Sequence, residues 1–461
     1  MSPGVAERVT AGAGFATLRR DVVEPGLCTR CGTCVGVCPK DAVRFEDPLG
    51  LCLPVADEAA CVDCDAPCLT GCPGADVDFP ELNRWLFGGP PQDYLLGHTT
   101  AFHVGHATDP EIRAGAASGG VITAVLEHLL QSGEIAGVAC LIDDPDRPLL
   151  PRPVIATDVE TLRAAQQSKY TLTPVNTVLA EIAAFGKPVA FVGLPDQVQS
   201  IRKLQVAGHP SVAHIKLIVG SFCGAVNHFS SVREFVRKHG VEDLDQIERI
   251  EYRAGAWPGT MRVTLKDGRR LELAKFYANY MNLFYVVERS LFCVDLSNEL
   301  ADISAGDAWA PRYESRHEGF SLVITRTEAG RRALETSRAA GVIELEETDR
   351  ADALVMHSHG LFNKKIAVWS RLDLRELLGR PAPDYHYRAV VTTRSRVVGA
   401  AIALVYEVGQ TRWARFLMNL LPLEFTGKAF AAVRKRWRKQ TRPGRSGTLQ
   451  TYDVIERPGQ A

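Results

Sequence analysis

Eight of the twelve cysteines form two short runs near the amino terminus, and their spacing is suited to iron–sulfur chemistry. The run at residues 28–38 reads C-x2-C-x2-C-x3-C and is followed by proline, and the run at residues 61–72 has one extra residue in its second gap. Three closely spaced thiolates can hold one cluster while the fourth ligates a second cluster. We therefore predict two [4Fe–4S] clusters. The predicted ligands are Cys28, Cys31, Cys34 and Cys72 for one cluster, and Cys61, Cys64, Cys68 and Cys38 for the other.

Zinc is the main alternative for such cysteines. Zinc sites favour two cysteine pairs separated by a longer loop, whereas each of these runs has four cysteines and ends in Cys-Pro. The extra residue of the second run lengthens the loop at residues 65–67 without removing a ligand, and Pro67 restricts that loop because its ring fixes φ. We therefore favour iron–sulfur clusters over zinc. Cys52 lies between two leucines and is predicted to be a buried packing residue.

The composition excludes several classes of protein. The chain has 461 residues, of which 46% are hydrophobic and 23% charged, and its net charge of −1 does not favour a nucleic-acid partner. The amino terminus lacks the apolar core of a secretory signal. We therefore expect a cytoplasmic protein whose clustered cysteines bind metal rather than form disulfides. The apolar run at residues 397–406 is too short to span a membrane, which takes about 20 residues.

The elements that must position the clusters follow from composition and periodicity. We predict a loose tail over residues 1–23, a two-cluster ferredoxin-like module over 24–80 and a main domain over 98–346. A helical extension at 347–390 and a basic amphipathic region at 391–461 follow. The predicted fold class is α/β, with a mixed, largely parallel sheet and flanking helices in the main domain.

Apolar runs and helical segments alternate in the main domain, which is typical of a parallel sheet covered by helices. The predicted strands are AGVACLI, KPVAFVGL, HIKLIVGSFC and SLVITRT, and the predicted helices are SGGVITAVLEHLLQSG, DQVQSIRKLQ, SSVREFVRKHG and EAGRRALETSRAAG. Residues 246–273 instead alternate with period two around a Lys-Asp-Gly turn. That pattern predicts a hairpin.

The carboxyl-terminal region is strongly basic. Residues 428–445 contain eight basic residues and no acidic one, among apolar and aromatic residues. One interpretation is a solvated helix followed by a disordered end. The other is an interfacial amphipathic helix that contacts anionic lipid at the inner face of the membrane. The sequence is compatible with both.

The segment ASGGVITAVLEHLL predicts a helix whose start could bind phosphate. Ser118 is placed to cap this helix, while Gly119 and Gly120 leave its first N–H groups open. Open N–H groups at a helix start can bind a phosphate or diphosphate. A capped amphipathic helix without a ligand is the alternative.

With four further segments, this helix start resembles the coenzyme F420 hydrogenase/dehydrogenase beta subunit family. The segments are QSKYTLTP, VAFVGLPDQVQSIRKLQ, GSFCGAVNHF and ELADISAGDAW, and the likeness covers residues 98–330, with the two-cluster module in front. The resemblance implies an iron–sulfur flavoprotein that binds FAD. The residues that it assigns to the cofactor are Ser118, Gly119, Gly120, Ser168, Lys169, Tyr170 and Asn227. It also matches Asp302, Ser304 and Asp307, without assigning them a role.

Two residues are candidates for catalysis by the same resemblance. Lys169 would lie near the flavin ring or its phosphates, where a cation can stabilise the reduced, anionic form. A surface lysine is the alternative. Tyr170, beside it, is the second candidate for a proton donor.

The sequence departs from the family at two of the four positions where members carry the cysteines of a further cluster. The corresponding residues are Asp196, Cys223, Ser290 and Cys293. Oxygen is a poorer cluster ligand than thiolate sulfur, and only two of the four positions are cysteine. We therefore do not expect a third cluster, and we interpret the two cysteines as buried packing thiols.

Together these patterns predict an iron–sulfur flavoprotein oxidoreductase that passes electrons between FAD and two [4Fe–4S] clusters. Coenzyme F420 or a small organic substrate such as a tetrapyrrole would react at the flavin. Ferredoxin or reduced F420 (F420H2) is the expected electron donor, with a partner oxidoreductase as a further expected contact. The alternative is an electron-transfer subunit without its own substrate that feeds a partner enzyme.

Overall fold

The computed structural model describes residues 14–441, 449 and 452–456. Its strands are β1 Val43–Glu46, β2 Leu53–Ala56, β3 Ala101–Ala107, β4 Gly137–Ile142, β5 Arg152–Ala156, β6 Val189–Gly193, β7 Ile215–Ser221, β8 Ile247–Ala254, β9 Thr260–Leu265, β10 Arg270–Ala274, β11 Ile303–Asp307, β12 Ser321–Thr325, β13 Ile343–Thr348, β14 Tyr387–Ala389 and β15 Val454–Glu456. Its α-helices are α1 Gly14–Leu18, α2 Thr33–Gly36, α3 Pro67–Thr70, α4 Phe79–Phe87, α5 Pro110–Gly115, α6 Val121–Gln131, α7 Val159–Ala164, α8 Leu179–Phe185, α9 Pro195–Val206, α10 Ser230–Arg237, α11 Met281–Phe284, α12 Pro311–Glu314, α13 Glu328–Ala339, α14 Arg350–Leu361, α15 Ala367–Leu377, α16 Thr393–Gly409, α17 Arg412–Leu420 and α18 Leu423–Thr441.

The main domain is built on an eight-stranded sheet in the order β13-β3-β12-β11-β7-β6-β4-β5. The four central strands, β11, β7, β6 and β4, are parallel, and the pairs outside them are antiparallel. This confirms the predicted mixed sheet and confines its parallel part to the centre. The predicted apolar runs form β4, β6, β7 and β12, and the predicted helical segments form α6, α9, α10 and α13.

Helices cover both faces of the sheet because its central strands are apolar on both sides. Every residue of β12 is buried, as expected for a strand enclosed between two layers. On one face, Leu129 of α6 and Leu334 of α13 pack in a core with Val219 of β7. On the other face, Ile201 of α9 packs in a core with Phe191 of β6, and that core continues into the amino-terminal module.

Residues 246–273, predicted as a hairpin, form a separate antiparallel sheet of three strands, β8, β9 and β10. The Lys-Asp-Gly turn joins β9 to β10, as predicted, with Leu271 opposite Val263. The prediction missed one strand because the chain reverses a second time, between Ala254 and Thr260, where β8 pairs with β9. This small sheet carries residues that reach the candidate site.

The amino-terminal module packs closely on the main domain. Residues 14–23, predicted to be loose, are helical, and the apolar side chains at helical spacing, Phe15, Leu18 and Val22, are buried. The rest of the predicted tail lies outside the described residues. The close approach of α2 depends on Gly36, since a Cβ there would lie 2.1 Å from the Asn176 carbonyl oxygen.

The carboxyl-terminal extension contacts both the amino-terminal module and the main domain. His386 Nε2 lies 2.5 Å from Asp76 Oδ1 of the amino-terminal module. Helix α18, predicted as solvated or interfacial, packs on the main domain at Tyr277, whose side chain lies 2.6 Å from the position of a Cβ on Gly427. Residues 442–448, 450–451 and 457–461 of the predicted basic region lie outside the described residues. No helix in the described ranges has the length and apolar character needed to cross a membrane.

Candidate functional site

A cavity of about 330 Å³ opens where the parallel strands β4, β6, β7 and β11 end. Ligands in sheets of this kind bind outside the carboxyl ends of the strands. We call it the strand-end cavity. Its walls come from the loop before α6, the segment at residues 165–173 and the residues that follow β6, β7 and β11. Of the predicted cofactor residues, Ser118, Gly120, Ser168, Lys169 and Tyr170 line it.

The start of α6 has open N–H groups, but Ser118 is not its cap. Gly120 occupies the cap position with φ +78° and without a side-chain hydrogen bond to the helix. Ser118 lies too early in the chain, and its hydroxyl donates to the Phe320 carbonyl at 2.7 Å. Gly119 is required for packing, because a Cβ there would meet the Gly105 carbonyl oxygen at 2.4 Å. The uncapped start of α6 therefore faces the strand-end cavity with unused donors.

These residues fit the phosphate-bearing part of a flavin cofactor. Ala116, Ala117 and Ser118 line the cavity with small side chains, so a ligand can approach the backbone closely. Gln167 adds a buried side-chain oxygen that has no hydrogen-bond partner in the structure. A buried acceptor without a partner carries a desolvation cost that a ligand donor would relieve. The donor set and the cavity are thus compatible with a dinucleotide.

Lys169 lines the strand-end cavity, but its ammonium group is held at the cavity edge. Its Nζ donates to the Gln166 carbonyl at 2.8 Å and lies 3.5 Å from Asp143 Oδ1. Burial lowers the pKa of Lys169, and the Asp143 carboxylate opposes that effect. A cation at this position favours negative charge on a ligand in the cavity.

Tyr170 has the most chemically distinctive environment of the predicted residues. Lys275 Nζ lies 3.9 Å from the centroid of its ring, and Arg253 Nη1 donates to its hydroxyl at 3.3 Å. Burial opposes ionisation, but these two cations outweigh it and lower the pKa of Tyr170 to about 8. A phenol with this pKa can donate or accept a proton near neutral pH.

The other matched polar residues have different positions. Asn227 lines a neighbouring cavity rather than the strand-end cavity. Asp302 is structural, since its carboxylate accepts from Arg202 Nη2 at 3.0 Å and from the Ile218 amide at 2.7 Å. Ser304 lies within β11, where its hydroxyl accepts from a buried arginine, Arg326, at 3.2 Å. The resemblance assigned Asn227 to the cofactor and gave Asp302 and Ser304 no role, and the structure places the three residues apart.

Asp307 lies at the end of β11 and lines both cavities. Arg253 binds it through two hydrogen bonds, of 2.9 and 3.1 Å, and Trp257 Nε1 donates to it at 2.8 Å. Burial raises the pKa of Asp307, but Arg253 outweighs burial and holds that pKa below its usual range. The sequence analysis did not predict a role for Arg253 or Lys275. The residues around a basic side chain in the sequence do not show which group it will contact after folding.

Three thiols of the first cysteine run lie near two thiols of the second run. Burial raises the pKa of Cys34 well above its usual range, and neighbouring thiols raise it further. Those neighbours are Cys28, Cys31, Cys72 and Cys68. Cys72 lies near thiols of both runs, and its proximity to the first run is what the predicted crossed ligation requires. The backbone N–H of Gly74 points at Cys72 Sγ at 3.4 Å, a contact that tunes cluster potentials.

The thiols of the second run form the other group. Burial raises the pKa of Cys68 to about 12, and the thiols of Cys64, Cys61 and Cys72 add to that effect. The remaining predicted ligand, Cys38, accepts a hydrogen bond from the Ala42 amide at 3.3 Å. Within the described ranges no group of three or more histidine, cysteine or acidic side chains is arranged to hold a single metal ion.

The first cysteine run is joined by hydrogen bonds to the wall of the strand-end cavity. The Asn176 amide donates to the Cys31 carbonyl at 3.0 Å, and the Asn176 side chain donates to the Gln197 carbonyl at 3.1 Å. Gln197 lines the cavity. One residue therefore separates a predicted cluster ligand from the cavity wall.

The positions that correspond to the further family cluster meet around a buried lysine. Burial raises the pKa of Cys223 to about 12, while Lys364 opposes that effect and Asp196 and Cys293 add to it. Lys364 Nζ donates to the Ser290 carbonyl at 2.8 Å. The described structure thus places an ammonium group beside the two remaining cysteines, and Cys223 and Cys293 are buried as predicted.

Comparison with known proteins agrees with this architecture. The model for the coenzyme F420 hydrogenase/dehydrogenase beta subunit N-terminal domain matches residues 102–180, and the model for its C-terminal domain matches residues 186–351. A 4Fe–4S binding domain matches residues 21–44. The fold and the cysteine module therefore define an iron–sulfur protein of an oxidoreductase class. The chain belongs to the coenzyme F420 hydrogenase/dehydrogenase beta subunit family.

Three named relatives illustrate the range of the family. The chain is 24% identical over 72% of its length to a coenzyme F420-dependent sulfite reductase of Methanocaldococcus jannaschii, and it spans 49% of that protein. It is 28% identical to a coenzyme F420 hydrogenase subunit beta of Methanothermobacter thermautotrophicus over 63% of its own length and 99% of the relative. It is also 28% identical to a chloroplastic 7-hydroxymethyl chlorophyll a reductase of Oryza sativa subsp. japonica, over 51% of its own length and 49% of that protein.

A solved structure shares the fold. A chain of the F420-reducing [NiFe] hydrogenase complex from Methanosarcina barkeri matches with a TM-score of 0.51 and 24% identity. The match covers 63% of this chain and 96% of the other. It supports the assigned fold class, and the carboxyl-terminal extension lies beyond the family models.

Proposed function

We propose that the chain is an iron–sulfur flavoprotein oxidoreductase, with FAD in the strand-end cavity and two [4Fe–4S] clusters in the amino-terminal module. The observation that carries the proposal is the hydrogen-bonded contact from Cys31 through Asn176 to Gln197 in the cavity wall. It brings a predicted one-electron centre next to a cavity with the donors for a dinucleotide. A bound flavin would supply two-electron chemistry and the ability to exchange single electrons with a cluster.

The residues of this chain would have distinct parts in that chemistry. The open N–H groups at the start of α6 would bind the diphosphate. Lys169, at the cavity edge, would favour an anionic cofactor. Tyr170 would hold a proton at its hydroxyl oxygen, ready for transfer, because Lys275 and Arg253 adjust its pKa to about 8.

The proposed substrate is coenzyme F420 or a small organic molecule such as a tetrapyrrole. The named relatives support these choices, since two bear F420 in their names and one bears chlorophyll. F420H2 or reduced ferredoxin is the proposed donor. The second cysteine run is open to a donor or a partner oxidoreductase, because Val62 is 44% exposed and Asp63 and Asp65 are exposed beside it.

The proposal is tested by anaerobic purification of the full chain, with analysis of flavin and iron and assays with F420H2 and reduced ferredoxin. Ala117→Glu places a carboxylate at the cavity wall near the start of α6 and should reduce flavin content about tenfold, since a charge there repels the diphosphate. Ala114→Glu, at an exposed site outside that cavity, is the matched control. Absence of both flavin and iron in the wild type would refute the proposal. Turnover only with an added partner enzyme would establish the electron-transfer subunit instead.

The proposal includes peripheral contact with an anionic membrane through α16 and α17. These helices expose large apolar side chains: Val397, Leu404, Val405, Val408, Trp413, Phe416, Leu417 and Leu420. Trp413 is 77% exposed, next to the exposed cation of Arg412. Exposed aromatic and aliphatic side chains beside cations are typical of helices that lie in a membrane interface.

Vesicle flotation tests this contact. We expect the full chain to float with vesicles that contain phosphatidylglycerol and to float less with neutral phosphatidylcholine vesicles. The double variant Trp413→Ser/Phe416→Ser should lose flotation, whereas Trp85→Ser, at a 48% exposed tryptophan on α4, should retain it. Equal flotation of both variants would contradict the assignment of this surface.

A further inference from the structure

A second cavity of about 240 Å³ adjoins the strand-end cavity. The two share wall residues, among them Tyr170, Phe222, Gly224 and Asp307. A Cβ on Gly224 would meet nothing within 4 Å, so no side chain fills the space at that shared wall. We call this second space the adjoining cavity. A molecule within it would lie next to the proposed flavin.

Two cations face the adjoining cavity without a carboxylate partner. Lys275 and Arg434 both line it, and neither forms an ion pair with any described residue. The one carboxylate in the wall, Asp307, is already bound by both terminal nitrogens of Arg253. The wall therefore has an uncompensated positive charge, which favours an anionic ligand.

Three buried polar atoms of the same wall also have no hydrogen-bond partner in the structure. They are Asn227 Oδ1, Asn279 Nδ2 and His359 Nδ1. Buried polar groups are rarely left unpaired, because each one carries a desolvation cost. Three such atoms around one cavity indicate a polar ligand with both donors and acceptors.

Part of the remaining wall is aromatic. Trp309, Phe276 and Phe222 line the cavity, and the Arg434 guanidinium lies 4.2 Å from the Phe276 ring centroid and 5.8 Å from that of Trp309. Flat aromatic surfaces favour a planar ring system by stacking. The cation beside them is placed to meet a charged substituent on such a ring.

Part of this wall comes from outside the family domains. His357, His359 and Gly360 belong to α14 and Arg434 to α18, whereas the family models end at residue 351. His357 also fixes the adjoining β11 end, because its Nε2 lies 2.8 Å from the Asp307 carbonyl oxygen. The carboxyl-terminal extension thus completes a cavity that the shared domains leave open on one side.

We infer that the adjoining cavity binds the second substrate, that this substrate is a planar conjugated carboxylate, and that Arg434 of the extension recognises its carboxylate. The inference rests on the proposed function for the role of substrate, but binding of the anion can be measured without it. Lys275 is the second anion contact, and the aromatic wall holds the ring system. Recognition of the acid is therefore shared between Arg434 of the extension and Lys275 of the matched family domains.

The test is calorimetric titration of the full chain with 2-naphthoate and with its neutral analogue 2-naphthamide. The wild type should bind the carboxylate about tenfold more tightly than the amide, as expected for a charge-assisted hydrogen bond. Arg434→Gln should remove that preference, and Arg434→Lys should restore part of it. Arg436→Gln, an exposed arginine on the same helix, is the matched control and should leave both affinities within about twofold.

Each outcome separates this inference from the proposed function. Equal affinity for carboxylate and amide in the wild type, or an unchanged preference in Arg434→Gln, would overturn it. If Arg434→Gln does not fold, as judged by circular dichroism, Lys275→Gln provides the same comparison. Flavin content is measured on the same preparations. A carboxylate preference in a protein that never binds flavin would sustain the anion site and refute the proposed function.

Discussion

Replacement of Lys275 by glutamine should raise the pKa of Tyr170. Lys275 Nζ lies 3.9 Å from the centroid of the Tyr170 ring. Burial favours the neutral phenol, but Lys275 and Arg253 outweigh it and bring the pKa from 10.0 to about 8. The variant removes one of the two cations and leaves the burial and Asp307, both of which favour the neutral form.

The size of the effect follows from the geometry. A pKa difference of about two corresponds to about 3 kcal/mol in favour of the phenolate. A unit charge about 4–5 Å away contributes about 3–4 kcal/mol at an effective dielectric constant of about 20. Solvent at the partly exposed Lys275 screens some of this interaction. We therefore expect the pKa of Tyr170 to rise by at least about one, to about 9 or higher.

The sign of the pH dependence follows from the lowered pKa. Ionised Tyr170 stabilises the folded state fully above the unfolded pKa of about 10, and this contribution is lost as pH falls through about 8. Below about pH 8 the phenol keeps its proton and can donate it. A reaction that needs this donor should slow above about pH 8 in the wild type, and the slowing should begin at higher pH in Lys275→Gln.

The assay is a pH titration of 13C-labelled tyrosine side chains by NMR, with Tyr170→Phe to assign the resonance. Lys266→Gln, an exposed lysine in the β9–β10 turn, is the control and should leave the midpoint near about 8. A midpoint that stays near about 8 in Lys275→Gln would refute the electrostatic account of Tyr170.

Three further changes test other parts of the structure. Cys72→Ser should lower the iron content from about eight to about four atoms per chain, because Cys72 is a predicted ligand of one of the two clusters, whereas Cys52→Ser should leave it unchanged; equal iron in both variants would contradict the role of Cys72 as a ligand. His386→Gln should lower the melting temperature by about 2 °C near pH 6, where the ion pair with the amino-terminal module is intact. Burial lowers the pKa of His386, but the facing carboxylate of Asp76 outweighs burial and raises that pKa. The stabilisation by the ion pair is therefore lost as pH rises through this raised value. An equal decrease in melting temperature near pH 9 would exclude the ion pair. Gly36→Ala should destabilise the protein by about 1–3 kcal/mol through overpacking in anaerobic denaturant titrations. Gly89→Ala, where a Cβ meets nothing within 4 Å, should be neutral, and equal stability of the two variants would contradict the contact.

Local features were predictable because their causes are local. The strands β4, β6, β7 and β12 followed from short apolar runs, and the turn between β9 and β10 from its Lys-Asp-Gly sequence. The prediction of a loose tail was wrong for residues 14–23, where three apolar side chains at helical spacing are buried against the module. The expected cap at Ser118 was wrong by two residues, because its hydroxyl bonds to Phe320, a distant residue brought near by folding.

The cluster module and the class of the main domain could be predicted from local sequence patterns alone. The spacing of cysteines in a short segment restricts the kind of metal centre that the segment can hold. The alternation of apolar runs with helical segments restricts the strands to a largely parallel sheet. The charges around Tyr170 and the residues that complete the adjoining cavity could not be predicted, because they come together only in the folded protein. Arg253 comes from β8, Lys275 directly follows β10 and Arg434 comes from α18, and the sequence around a basic residue does not show which partner it will contact. Their meeting depends on how the small sheet and the carboxyl-terminal helix pack on the main domain, which is a property of the assembled core rather than of any one segment.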